Sequence, residues 1–117
     1  MSADGGCIFC MIAGKNVPSK VLFEDDELLA FADLKPQAPL HALVVPKRHI
    51  EKASDLAGTD AALAGRMLLA AKDIAEKAGF GKSGYRMVLN CGGDAGQAVA
   101  HIHLHVMGGR KFSWPPG

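Results

Sequence analysis

The sequence predicts an α+β fold, an antiparallel sheet of about five strands carrying one main helix, with a short helix near the N-terminus. Three observations support this. Short strand-like segments outnumber helical ones, tight polar or glycine-rich turns join neighbours as antiparallel pairing allows, and a single long stretch repeats with a helical period.

Residues 8–13 are apolar and brief, fitting a helical turn or two closed by Gly14. Residues 20–24 and 28–33 read as two strands around the polar hairpin turn Asp25-Asp26-Glu27. Lys35-Pro36-Gln37-Ala38-Pro39 is a loop, because its two prolines bar regular structure. His41 to Val45 is a short buried strand ended by Pro46. Between Asp60 and Ala78, Leu63, Met67, Ala70, Ile74 and Ala78 share one helical face, while Lys72, Asp73, Glu76 and Lys77 fall largely away from it. Thr59 or Asp60 suits the N-cap and Gly79 the C′ position. Tyr85 to Asn90 is a further strand, followed by a glycine-rich loop at 91–97 and a last strand at 101–107. The tail from Gly108 to Gly117 is too rich in proline for a helix and holds the one tryptophan, Trp114.

A chain of 117 residues, 49% hydrophobic and 21% charged, reads as one soluble domain spanning 1–117. A formal net charge of +1 leaves no electrostatic footprint for nucleic acid or acidic membranes. No apolar run reaches the roughly 18 residues that span a bilayer, and Met1 to Gly6 lack the regions of a signal peptide. Three cysteines make an odd count, so a disulfide framework is not expected; a reducing cytoplasm would leave Cys7 and Cys10 available as thiolates.

His101-Ile102-His103-Leu104-His105-Val106-Met107 places three imidazoles at every second position. On a strand these rings share a face, with Ile102, Leu104 and Val106 behind them. The preceding loop, Cys91-Gly92-Gly93-Asp94-Ala95-Gly96-Gln97, can bring backbone N–H groups close to an anion, with Asn90 and Gln97 as neutral donors at its ends. A phosphate cradle followed by imidazoles suits phosphoryl or nucleotidyl transfer. Metal binding is equally open at this point, since imidazoles two apart on a strand can share one ion.

Those residues, together with Phe31-Ala32-Asp33, Pro36-Gln37-Ala38-Pro39, His41, Pro46-Lys47-Arg48-His49-Ile50, residues 84–90, Gly108-Gly109-Arg110 and Trp114-Pro115-Pro116-Gly117, resemble the nucleotide-binding (Hint) branch of the histidine-triad superfamily. The likeness covers nearly the whole chain and implies the HIT fold. His105 stands where the galactose-1-phosphate uridylyltransferase branch typically has Gln, and the Trp-Pro-Pro-Gly ending disfavours the dinucleoside polyphosphate hydrolases.

The resemblance implies a purine nucleoside phosphoramidate or aminoacyl-adenylate hydrolase. His103 would be the nucleophile and form a covalent nucleotidyl-histidine; His105 would contact the phosphate and His41 support the site. Asn90, Gly96 and Gln97 would hold the phosphate or ribose, and Asp33 would accept from ribose hydroxyls. Ile8, Phe9, Ile12, Val17 and Leu34 would form the purine slot, although Phe9 and Ile12 serve equally well as plain core. The family also implies a homodimer in which Trp114 reaches the partner's site, and no organic cofactor.

Two departures stand out. Ala98 occupies a position where better-known members of the branch carry a Ser beside the leaving group or phosphate. Cys7-Ile8-Phe9-Cys10 supplies half a tetrahedral metal site, and by resemblance to bacterial relatives His49 and His101 would complete a structural zinc centre; free thiols in a small core are the competing reading. A nucleotide- or zinc-binding interaction module with weak catalysis is the alternative from another functional class.

Overall fold

The computed structural model describes residues 6–117. Residues 1–5, included in the single-domain reading above, lie outside the described residues. The elements run α1 (Ile8–Ala13), β1 (Val21–Glu24), β2 (Leu28–Ala32), β3 (Leu40–Pro46), α2 (Ala61–Lys77), β4 (Tyr85–Leu89) and β5 (Leu104–Gly108). The five strands form one sheet in the order β1-β2-β3-β5-β4, and every neighbouring pair is antiparallel.

The β1–β2 hairpin closes where the sequence places its polar turn. The Asp25 carboxylate accepts from the backbone N–H groups of Glu27 and Leu28, at 2.8 and 2.7 Å, a local bond that favours turning over extension. Arg66 of α2 binds the Asp25 and Glu27 carboxylates and ties helix to hairpin.

Alternation along the strands divides the core in two. Leu28, Ala30, Ala42, Val44, Leu104 and Val106 face α2, where they meet Met67, Ala70, Ala71, Ile74 and Ala75. The alanines on both sides let helix and sheet approach closely. On the opposite face Leu29, Phe31, Leu43 and Val45 pack against Cys7, Phe9 and Ile12. A helix of six residues covers only part of that face, and the uncovered part becomes the site.

One boundary and two side chains at the ends of α2 differ from expectation. The last strand begins at Leu104, not His101, because Leu104 is the final residue paired with both β3 and β4. Ahead of it the backbone turns to other partners: Ile102 N–H donates to the Ile50 carbonyl at 2.7 Å. Asp60 precedes α2, but its side chain does not cap the helix; the carboxylate accepts from Ala57 N–H at 2.8 Å and pairs with Arg48. Those two partners hold its pKa below the usual carboxylate value. Ala78 is exposed, past the last buried turn, while Gly79 takes the positive φ of 93° that ends the helix.

Candidate active site and metal centre

His41, from the start of β3, and His105, from β5, lie on the face left open by α1. His41 shares that face with Leu43 and Val45 because strand side chains alternate. A cavity of about 400 Å³ opens beside the two histidines of β5 and its approach, His103 and His105. Its apolar wall includes Ile8, Phe9, Ile12, Val17, Leu34 and Ala98, and its polar rim includes Asp33, Asn90 and the backbone of Gly96. The volume lies within the range of small-molecule sites, roughly 300 to 1,000 Å³.

Each ring has one nitrogen fixed by the surrounding chain. A carbonyl oxygen only accepts, so His103 Nδ1, 2.8 Å from the His101 carbonyl, carries a proton. In the neutral ring Nε2 is then an unprotonated lone pair. His101 is fixed the other way round: its Nε2–H donates to the Pro46 carbonyl at 2.8 Å, so in the neutral ring Nδ1 is unprotonated. His41 Nδ1 accepts from Gln37 N–H at 3.0 Å, so its proton sits on Nε2. That Nε2–H lies 2.9 Å from His105 Nδ1 and 3.4 Å from the Asp33 carboxylate. His105 therefore accepts at Nδ1 and presents Nε2–H on its outer edge.

Burial is the main reason the His41 pKa falls below its ordinary value, with Asp33 opposing the shift. His105 is pushed down to about 4, first by burial and then by the neighbouring His103 and His41, against the pull of Asp33. Both rings are neutral at pH 7, as the proton assignment requires.

A second cluster lies behind the first. Cys7, Cys10, His49 and His101 hold one ligand atom each within 4.8 Å of the others. His101 Nδ1 is 3.2 Å from Cys7 Sγ and 3.4 Å from Cys10 Sγ, and His49 Nδ1 is 3.2 Å from Cys10 Sγ. Tetrahedral zinc, with bonds of about 2.0 to 2.3 Å, spaces its ligand atoms about 3.5 Å apart, so these residues fit the ion. The unprotonated Nδ1 of His101 is the lone pair a metal needs, and the Pro46 carbonyl is the outer partner that orients it. Asp33, His41 and His105 are as close together, yet Gln37 N–H obliges His41 to point a proton into that group. It is a proton-sharing cluster, not a metal cage.

A HIT domain model matches residues 14–112. An uncharacterised HIT-like protein of Synechocystis is 46% identical over 110 residues, covering 94% of this chain and 96% of that one. A HIT family hydrolase from Legionella pneumophila is 47% identical with a TM-score of 0.93, covering 95% of this chain and 99% of that one. The chain belongs to the HIT family. A histidine triad protein from Clostridium difficile, 42% identical with a TM-score of 0.89, covers 92% of this chain and 94% of its own.

The structure brings most of the sequence-derived HIT site together, and sets two residues apart from it. Phe9 joins core and cavity: it is buried, packs edge-on to Phe31 at 5.4 Å, and meets the His103 ring at 5.1 Å between centroids. Gln97 does not line the cavity. Its amide braces the glycine loop, accepting from Gly92 N–H at 2.9 Å and donating to the Glu51 and Val99 carbonyls at 2.7 and 3.0 Å. Trp114 is 82% exposed in the tail, away from its own chain's cavity. Phe31 and Leu43, not proposed from sequence, also line the cavity, and strand alternation would have found them. Pro18, Ser19 and Val99 do so from loops, where no periodic signal exists.

A histidine with a depressed pKa favours the neutral ring in the fold. Its contribution to stability is complete above its unfolded pKa, near 6.5, and is lost as pH falls toward about 4. Urea denaturation at stepped pH should show stability declining across that window, and His105→Gln should flatten part of the decline. Equal slopes for the two proteins would contradict the assignment.

Proposed function

We propose that this HIT protein belongs to the nucleotide-binding branch and hydrolyses purine nucleoside phosphoramidates or aminoacyl-adenylates through a nucleotidyl-His103 intermediate. The observation that carries the reading is the bare Nε2 of His103, fixed by the His101 carbonyl beside a nucleotide-sized cavity. Nε2 attacks the α-phosphorus as the phosphorus–nitrogen or phosphorus–oxygen bond breaks, the amine departing with a proton drawn from water and the acyl group departing as its carboxylate. Water then displaces the imidazole, releasing the nucleoside monophosphate. Splitting one displacement into two suits imidazole, which is both a good nucleophile and a good leaving group. His105 Nε2–H, held outward by His41, donates to phosphate oxygen as charge builds. Asn90 and the backbone at Gly96, whose φ is 83°, support the phosphate or ribose, and Asp33 receives ribose hydroxyls. The exposed Leu34 and Ile8 flank the purine at the cavity mouth.

The Cys7, Cys10, His49 and His101 cluster would hold a structural zinc. When bound, the ion supplies cross-linking and no chemistry on the substrate. His101 then serves the fold while His103 serves the reaction. Exposed Leu68, Leu69 and Leu89, the last on edge strand β4, support a homodimer, with Trp114 available to a partner's site. Reduced cysteines suit a cytoplasmic location, and a single domain spanning 1–117 is part of the same proposal.

Adenosine 5′-phosphoramidate hydrolysis tests the mechanism: His103→Ala should lose ~10³-fold or more in turnover. Equal rates would refute it. Ala98 lines the cavity without a hydroxyl, so Ala98→Ser should raise turnover about 10-fold, the worth of one added charge-stabilising donor. An unchanged rate would remove position 98 from the catalytic apparatus. Metal analysis of reduced protein should find one zinc per chain, absent in Cys10→Ser together with a lowered thermal midpoint. Zinc-free wild type of full stability would exclude the metal centre.

A further inference from the structure

Arg110 is exposed and touches neither the cavity nor a histidine, yet it bonds to the residue on which the proton order of the site depends. Its Nε–H donates to the Gln37 carbonyl at 2.7 Å, and Gln37 N–H donates to His41 Nδ1 at 3.0 Å. The approach is close by construction. Gly109 has a φ of 96°, and a Cβ there would lie 2.8 Å from Pro39 Cβ, so only glycine lets the tail lie against this loop. The guanidinium is itself held, with Cζ 4.2 Å from the centre of the Phe112 ring and Nη1 donating to the Lys111 carbonyl at 2.9 Å. Arg86 grips the same tail through the same ring, with Cζ 5.1 Å from the Phe112 ring centre, and through Nη2, 3.0 Å from the Ser113 carbonyl.

We infer that Arg110 is a positioning residue for catalysis: by fixing Gln37 it sets the tautomer of His41 and, through His41, that of His105. The inference rests on the reading of His105 as the phosphate-contacting donor. The two bonds at Gln37 lie on different peptide groups either side of its Cα, so the link is one of placement and not of polarisation. Gln37 Nε2–H to the Lys35 carbonyl, at 3.0 Å, adds a local brace. With Gln37 N–H turned away, His41 is free to move its proton to Nδ1. Its bare Nε2 would then take a proton from His105 Nδ1–H. The outer Nε2 of His105 would become a lone pair facing phosphate oxygen, and a stabilising donor would turn into a repelling acceptor.

Tautomers are read by proton–nitrogen correlation spectra of the histidine rings in the full-length protein, alongside phosphoramidate kinetics. Wild type should show Nε2–H at both His41 and His105. Arg110→Met keeps the aliphatic stem and removes the donors; it should mix the His41 and His105 tautomers. It should lower kcat by ~3- to 10-fold, a fraction of what a positioned proton donor contributes, with KM within about twofold. Arg110→Lys, which retains a cationic donor group, should recover part of both effects. Arg86→Met loosens the tail without touching Gln37 and should leave the tautomers as in wild type. A wild-type His41 spectrum in Arg110→Met, an equal disturbance in Arg86→Met, or mixed tautomers with unchanged kcat would each overturn the proposal. The spectra need no substrate. Mixed tautomers in a protein whose wild type does not turn over phosphoramidate would uphold the link and reject the substrate instead.

Discussion

A neutral imidazole carries one proton, and in this protein the backbone decides where each proton sits. The carbonyl of His101 takes the Nδ1–H of His103, the carbonyl of Pro46 takes the Nε2–H of His101, and the N–H of Gln37 occupies Nδ1 of His41. Once these three bonds are made, the remaining nitrogens have no freedom of role. His103 offers a lone pair to the cavity, His101 offers one beside the Cys7 sulfur, and His41 hands a proton toward His105. His101, His103 and His41 acquire separate functions through main-chain partners, and His105 takes its role from His41.

The fold supplies those partners by leaving its sheet unequally covered. One face is closed by α2 through small residues, so the strands beneath are held rigidly. The other is closed only at one end by α1, which brings Cys7 and Cys10 to His101 and sets Phe9 against His103. Beyond Phe9 the face is open, and substrate-sized space begins within contact of the histidine rings. Starting β5 at Leu104 matters for the same reason. His101 and His103 precede the ladder, and the His101 carbonyl holds the His103 ring. No helix among the described residues is long and apolar enough to cross a membrane.

Much of this was legible in the sequence because side-chain periodicity reports the faces of strands and helices directly. The five strands, the 61–77 helix and the Gly79 stop all follow from residue type. So does the pairing of Cys7 and Cys10 with distant histidines, once a family likeness supplies the partners. Contacts made by the main chain were not legible, because they leave no trace in residue identity. Gln37 contributes an N–H, Pro46 and His101 contribute carbonyls, and every residue offers the carbonyl and every residue but proline the N–H. Gln97 illustrates the converse: an amide beside a glycine loop suggests phosphate contact, while the fold commits it to the Glu51 and Val99 carbonyls. Asp60 likewise suits a helix cap by type, but nearby Arg48 and Ala57 N–H take its carboxylate.

The assignment of protons makes one nitrogen of one residue the point of covalent attack. Peptide mapping by mass spectrometry, on protein quenched in alkali during turnover of an adenosine phosphoramidate, reads that point directly because the phosphorus–nitrogen bond survives base. The expected result is an adenylyl group on His103 alone, accumulating during turnover and absent from the His103→Ala protein. An adduct on His41 or His105, or turnover with no histidine adduct at any time, would contradict the account.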